Sequence, residues 1–377
     1  QDSVRRFVEK EYTFEQRAQR LRRGVAASDE HWRTFAENGW LAAALPEAHG
    51  GLGGLGGSVL DTVLIAQEFG RGLVIEPYFG CAVLAAQTFA AAASEAQQHR
   101  LLPGLSDGVR RLALAYSETS SRGDPAVVTL TAKRNAGGHY TLRGVKTLVL
   151  GALGADGIIV SARLADGPVN ADEAISLFLV DAAASGLSVL PMPLHDGTWA
   201  AECRFDAVQV DADALLGDAG NGLAALRHGH AHAIAALGAE LVGGMERAIE
   251  ITADYLKLRK QFGVAIGSFQ VLQHRMADMA TEMELARSML YALLAAMASG
   301  DPVAQQYTAS QAKARIGRAA KFVCGQAIQL HGGIGMTDEY AVGHYFKRAV
   351  VADLLFGNSD QHEAACAASL QRALCPA

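Results

Sequence analysis

Between about residues 111 and 212 the apolar residues fall in short runs without a helical period, whereas on both sides the period is helical. That contrast predicts helices, then strands, then helices. The middle runs are Leu112-Ala113-Leu114-Ala115-Tyr116, Val127-Val128-Thr129-Leu130-Thr131-Ala132, Tyr140-Thr141-Leu142, Gly157-Ile158-Ile159-Val160-Ser161 and Ile175-Ser176-Leu177-Phe178-Leu179-Val180. Each is bounded by Gly, Asp, Asn or Pro. Strands that follow one another without helices between them imply an antiparallel barrel or sandwich and not a Rossmann sheet. Upstream, Val4, Phe7, Val8 and Tyr12 recur at helical spacing, and Trp32, Phe35, Trp40 and Leu41 form a second amphipathic stretch. The glycine-rich run from Gly50 to Gly57 lacks the GK[ST] ending of a phosphate loop and reads as a connection, after which Ser58 caps a helix. Downstream, Leu272, Met276, Met279, Met283, Ala286, Leu290, Leu293 and Met297 mark one buried stripe of a long helix. Ser268 is its expected N-cap, and Gly300-Asp301-Pro302 its stop. The expected boundaries are a helical domain over 1–110, a β domain over 111–215 and a helical bundle over 216–377.

Composition removes several function classes. A net charge of −6 gives no electrostatic case for nucleic acid. No apolar run reaches the length of a membrane span. Five cysteines, with no CxxC pair, argue against a disulfide framework and point to a reducing cytoplasm. The charged first residues read as the inside of a helix and not as a signal peptide.

Two segments look unlike ordinary packing. In Tyr255-Leu256-Lys257-Leu258-Arg259-Lys260-Gln261-Phe262-Gly263 a helix ends at an Arg-Lys pair and a glycine turn leads to the next helix. Cations suit a helix C-terminus, and Arg259 also offers a planar fork to a phosphate. In Gln329-Leu330-His331-Gly332-Gly333-Ile334-Gly335-Met336-Thr337 three glycines allow close backbone approach to a ligand. His228, His230 and His232 put two imidazoles on one helix face, but no acidic or cysteine ligand stands beside them, so no metal is expected.

These segments, in order, resemble the acyl-CoA dehydrogenase family over nearly the whole chain. Trp40-Leu41 through Pro46 to Gly50-Gly51 is similar to its early signature. Ala115 to Asp124 partly matches A-x-[TS]-E-P-x-x-G-S-D, and Gly144 to Leu150 is similar to G-x-K-x-W-I-[TS]. Arg259 to Gln270 matches R-x-Q-F-G-x-x-I-G-x-F-Q, and Gln329 to Tyr340 matches Q-x-x-G-G-x-G-[MY]-T-x-E-Y. Within the family, the chain resembles the small subunit of pimeloyl-CoA dehydrogenase.

The resemblance implies an α+β fold: an N-terminal α-helical domain, a central antiparallel β-barrel and a C-terminal four-helix bundle. It implies FAD, with Tyr116 and Ser117 against the flavin ring. Arg259, Gln261 and Phe262 would reach the FAD of a neighbouring subunit, and Gln270, Gln329, Gly332 and Gly333 would line its pyrophosphate and adenosine portion. It also implies an acyl-CoA substrate, an electron-transfer flavoprotein as acceptor, and a homo- or hetero-oligomer, typically a tetramer. Departures matter equally. Phe356 stands where the family's I-Y-E-G-T has its glutamate base. Counting back from Gly238, His228 and Gly229 stand where isovaleryl-type members have Glu-Arg in L-D-x-E-R. Leu148 and Leu150 replace a tryptophan and a hydroxyl residue near the flavin. Three readings follow: an active dehydrogenase with a displaced base, Asp360 or His228; a non-catalytic small subunit of a heteromer; and a flavin oxidase or monooxygenase on the same fold.

Overall fold

A computed structural model describes residues 1–24, 27–43, 45–49, 51, 59–165 and 174–374. Gly50, the glycine run from 52 to 57, the expected cap Ser58 and Cys375 lie outside the described residues. The chain forms two compact units, Gln1–Gly24 with Val63–Val74 and Ile234–Ala377, and Val25–Thr62 with Ile75–Ala233.

The first unit is helical. It holds α1 (Asp2–Glu11), α2 (Phe14–Arg22) and most of α4 (Leu60–Gly72). It also holds the later part of α7 (Gly222–Leu258), then α8 (Gln270–Ala298), α9 (Pro302–His331), α10 (Ala341–Leu354) and α11 (Ser359–Leu374). α4 and α7 cross at backbone contact: a Cβ on Gly70 would stand 1.9 Å from the Glu240 carbonyl oxygen, and one on Gly243 would stand 1.9 Å from that of Gln67. Along α8 the expected stripe is buried at Met279, Met283, Ala286, Leu290 and Leu293, with Leu272, Met276 and Met297 partly covered at its ends. Ser268 is not the cap: its hydroxyl donates to the Ala265 carbonyl, and Phe269 occupies the N-cap without a side-chain bond. At the far end Asp301 caps α9, accepting from Val303 N at 2.9 Å and from Ala304 N, with Pro302 at the first helical position.

The second unit holds α3 (Asp29–Glu37), a π-helix over Tyr78–Ala85, α5 (Ala86–Ala92) and α6 (Glu95–Ser106). Its sheet is built from β1 (Leu112–Ala115), β2 (Thr131–Arg134), β3 (Tyr140–Leu150), β4 (Gly157–Leu164), β5 (Ile175–Asp181), β6 (Leu187–Pro193), β7 (Trp199–Val210) and β8 (Leu215–Leu216). The order is β6-β7-β3-β2-β4-β5-β8, with β1 also on β4. The expected antiparallel barrel needs correction on two counts. Among the described residues the edge strands β6 and β8 do not pair, so the sheet is not closed. And β1 and β2 both run parallel to β4, β1 against Gly157 to Val160 and β2 against Arg163 and Leu164. They lie end to end along one neighbour, as a single strand interrupted by the excursion Tyr116 to Leu130. The expected strand at Val127–Ala132 therefore begins only at Thr131. The backbone N–H groups of Thr129 and Leu130 are taken by the Glu118 carboxylate, each at 3.0 Å to Oε1.

Candidate active site

In the second unit the residues expected at the flavin ring sit where this excursion leaves β1. Tyr116 and Ser117 are both buried. The Ser117 carbonyl accepts from Thr147 N at 2.9 Å, and the Tyr116 carbonyl from Lys146 Nζ at 3.1 Å. Lys146 is fully buried and also donates to Glu118 Oε1 at 2.7 Å and Ser161 Oγ at 2.9 Å. Glu118 additionally accepts from the Thr129 hydroxyl. Burial works to raise the Glu118 carboxyl, but the Lys146 ammonium and these donors outweigh it and hold it below its ordinary range. Burial pulls Lys146 down to about 8 against the pull of Glu118, leaving it protonated at neutral pH. This pair pins both ends of the excursion, and sequence reading had placed it in motifs without assigning it a role. The signal was present: in β3 the inward positions Tyr140 and Leu142 are followed by Lys146, four residues on and on the same face.

Nearby, β3 changes course. Its pairing with β7 shifts between Lys146 and Val149, and Leu148 takes a left-handed φ of 52°. Leu150 is buried against Gly80 of the π-helix, where a Cβ would come within 2.9 Å of the Leu150 Cβ. The position expected to carry a hydroxyl is thus packed as an apolar contact.

The three histidines lie at the start of α7. The His230 ring meets the Tyr116 ring edge-on at 4.2 Å. His228 Nε2 donates to Gln87 Oε1 at 3.3 Å, and His232 Nδ1 donates to the His228 carbonyl at 3.0 Å. Burial lowers both, and with His228 beside it His232 is pushed down to about 4, so both are neutral at neutral pH. Among the described residues no group of three His, Cys, Asp or Glu side chains is placed to hold a metal ion. At Gly229 a Cβ would stand 1.9 Å from Thr88 Oγ1, which leaves no room for the arginine of the resembling motif.

In the first unit, α7 ends in a hairpin of β9 (Lys260–Gln261) and β10 (Val264–Ala265), turned by Phe262 at φ 53° and Gly263 at φ 83°. Two successive left-handed residues make the turn that suits a two-residue hairpin. Phe262 at its tip is 90% exposed, with its ring edge-on to Phe269 at 6.1 Å. Arg259, Gln261, Gln270 and Gln329 are exposed too. The Arg259 guanidinium makes no hydrogen bond or ion pair among the described residues. At Gly332 and Gly333 an added Cβ would meet nothing within 4 Å, and Gly332 has φ 63° and ψ −140°, a conformation glycine adopts readily. An unpaired guanidinium and an open glycine backbone fit the pyrophosphate of FAD.

The same unit carries the turn after α10. Phe356 is buried, and its φ of 61° is followed by 92° at Gly357. The turn is braced throughout. Lys313 Nζ donates to the Asp353 and Gly357 carbonyls, both at 2.9 Å, and His362 Nε2 donates to the Phe356 carbonyl at 2.9 Å. Asp353 accepts from Lys321 Nζ at 2.7 Å and from the Ser359 N–H and hydroxyl. Burial works to raise the Asp353 carboxyl, but Lys321, Ser359 and Lys313 hold it low. Asp360, at the start of α11, is 85% exposed and paired with Arg318 at 3.0 Å.

Comparison with known proteins gives the family of the chain. Three family models match in succession: the acyl-CoA dehydrogenase N-terminal domain over residues 1–109, the middle domain over 113–208 and the C-terminal domain over 220–371. The chain is similar to the probable acyl-CoA dehydrogenase YngJ of Bacillus subtilis, 30% identical over 87% of this chain and 86% of that protein. Its fold is similar to butyryl-CoA dehydrogenase of Megasphaera elsdenii, with a TM-score of 0.90 and 25% identity over 98% of this chain and 96% of the other. It is also similar to the ChsE4–ChsE5 complex of Mycobacterium tuberculosis, with a TM-score of 0.86 and 25% identity over 100% of this chain and 96% of that one. The chain belongs to the acyl-CoA dehydrogenase family, whose members are FAD-dependent oxidoreductases acting on acyl-CoA thioesters.

Proposed function

We propose that this chain is the small, non-catalytic or half-site subunit of a heteromeric acyl-CoA dehydrogenase, an assembly that converts an acyl-CoA to its 2-enoyl-CoA. The observation that carries the reading is the Phe356 turn. Its bracing by Lys313, Asp353 and His362 is complete, yet the side chain it presents is buried and cannot accept a proton. Abstraction of a weakly acidic α-proton needs a base within hydrogen-bond reach, and a partner of the same fold supplies it. FAD, when bound, supplies the acceptor for the β-hydride. This chain's contribution is to hold the cofactor: Arg259 and Gln261 with the Gln270 and Gln329–Gly333 positions toward a neighbour's pyrophosphate and adenosine, and Phe262 packed into the same interface. Tyr116 and Ser117 flank the ring position, held by the Lys146–Glu118 pair. An electron-transfer flavoprotein is the proposed electron acceptor. The likeness to the ChsE4–ChsE5 complex supports a two-component assembly.

The second reading is a self-sufficient homo-oligomer with His228 as displaced base, and its neutral, half-buried imidazole favours it. Asp360 is less suited, because it is spent on a surface ion pair. The deciding experiment expresses the chain alone and with an acyl-CoA dehydrogenase-like chain encoded beside it, then follows flavin content and acyl-CoA-dependent bleaching. Full flavin content and bleaching only in the co-expressed sample is the expected result. Turnover by the chain alone overturns the half-site reading.

A further inference from the structure

The two candidate cofactor segments of the first unit are joined by an aromatic stack. Tyr255, one turn before the end of α7, lies on the His331 ring at 4.3 Å with 29° between planes, and His331 meets the Tyr340 ring at 4.9 Å. The Tyr255 hydroxyl donates to the His331 carbonyl at 3.3 Å, the peptide that leads directly into Gly332. The Tyr255 carbonyl in turn accepts from Arg259 N at 2.8 Å. One side chain therefore touches the peptide of the glycine turn while its own backbone sets the residue expected to meet the diphosphate.

His331 is tuned for this place. Its Nδ1 donates to the Ala327 carbonyl at 2.7 Å, closing the last turn of α9 and fixing the ring plane. Burial lowers its pKa, so the imidazole is neutral and stacks without a charge. Its Nε2 is buried with no hydrogen-bond partner among the described residues.

We propose that Tyr255 and His331, backed by Tyr340, are positioning residues for the diphosphate–adenosine half of the cofactor: they set the separation between Arg259 and the Gly332–Gly333 turn so that both meet one ligand. This rests on the reading that Arg259 and the glycine turn hold FAD.

The test is FAD titration of the deflavinated native assembly, with ADP as competitor because it carries only the half in question. Tyr255→Ala and His331→Ala should each raise the FAD dissociation constant up to roughly tenfold, the upper range for an aromatic pair. ADP competition should weaken by the same factor. Tyr255→Phe keeps the stack and should recover most of the loss. Unchanged FAD and ADP affinity, with only a lowered melting temperature of the apo-assembly, would mean that the stack is packing and would overturn the proposal. If Arg259→Ala also leaves both affinities unchanged, the cofactor reading beneath it fails as well. If Arg259→Ala weakens binding while the stack variants do not, the stack inference alone fails.

Discussion

Replacing Lys146 with methionine is the most searching test of how the excursion from Tyr116 to Leu130 is held. The ammonium is fully buried and makes three bonds, to the Tyr116 carbonyl, Glu118 Oε1 and Ser161 Oγ. Methionine fills similar space but donates nothing. Removing one member of a buried ion pair costs about 3–5 kcal/mol, because the other charge stays behind in a medium that solvates it poorly. Glu118 still keeps the Thr129 N–H, the Thr129 hydroxyl and the Leu130 N–H. The expected loss therefore lies at the lower end, about 3 kcal/mol. Against a total stability of roughly 5–15 kcal/mol, that loss is easily read. Urea denaturation followed by tryptophan fluorescence gives the number, with Lys133→Met on the exposed face of β2 as a control expected within about 0.5 kcal/mol. Flavin content should fall in the buried variant, since the Tyr116 carbonyl loses its anchor. A loss below about 1 kcal/mol, similar to a surface change, would refute the argument that the pair pins the excursion.

Four further outcomes are expected. Arg259→Ala should weaken FAD retention by about 1.5–3 kcal/mol, and Arg259→Lys should recover only part, because a point charge cannot reproduce a fork; equilibrium dialysis of flavin checks both. Phe356→Glu should not restore acyl-CoA-dependent bleaching to the chain alone, since Leu148, Leu150 and the closed space at Gly229 remain, and it should lower stability by burying a carboxylate. In the native assembly Asp360→Asn and His228→Gln should leave turnover nearly unchanged, whereas a loss of about a hundredfold in steady-state rate would identify that residue as the base. Finally, Glu118 and Asp353 have folded pKa values below their unfolded ones. Their stabilisation is present above the ordinary carboxylate range and lost as pH falls through the folded values, so the urea midpoint should drop there and a flat profile would contradict the assignment.

How much of this was legible follows from which interactions are local. Helical and extended stretches were readable because burial periodicity is written residue by residue, as in Met279, Met283, Ala286 and Leu290. What failed was set by distant partners. Val127 to Leu130 has strand composition, but Glu118 claims its N–H groups. Ser268 has cap chemistry, but the Ala265 carbonyl claims its hydroxyl. The parallel placement of β1 and β2 on β4 leaves no local mark at all. Among candidate site residues, the glycines and Arg259 could be named from the sequence because they stand at motif positions. The Tyr255–His331 stack was not, because residues far apart in the chain meet there only after α7 and α9 have packed.

The interruption between β1 and β2 also bears on the order of assembly. The segment from Tyr116 to Leu130 leaves the sheet and returns to the same neighbouring strand, and its closure depends on Lys146, which lies further along the chain in β3. During synthesis, Tyr116 and Glu118 emerge well before the side chain that anchors them. The loop from Tyr116 to Leu130 therefore cannot take its final form until β3 has emerged and paired. A nascent or truncated chain ending before Lys146 lacks both that anchor and β4, the strand on which β1 pairs, so loop and sheet are completed together.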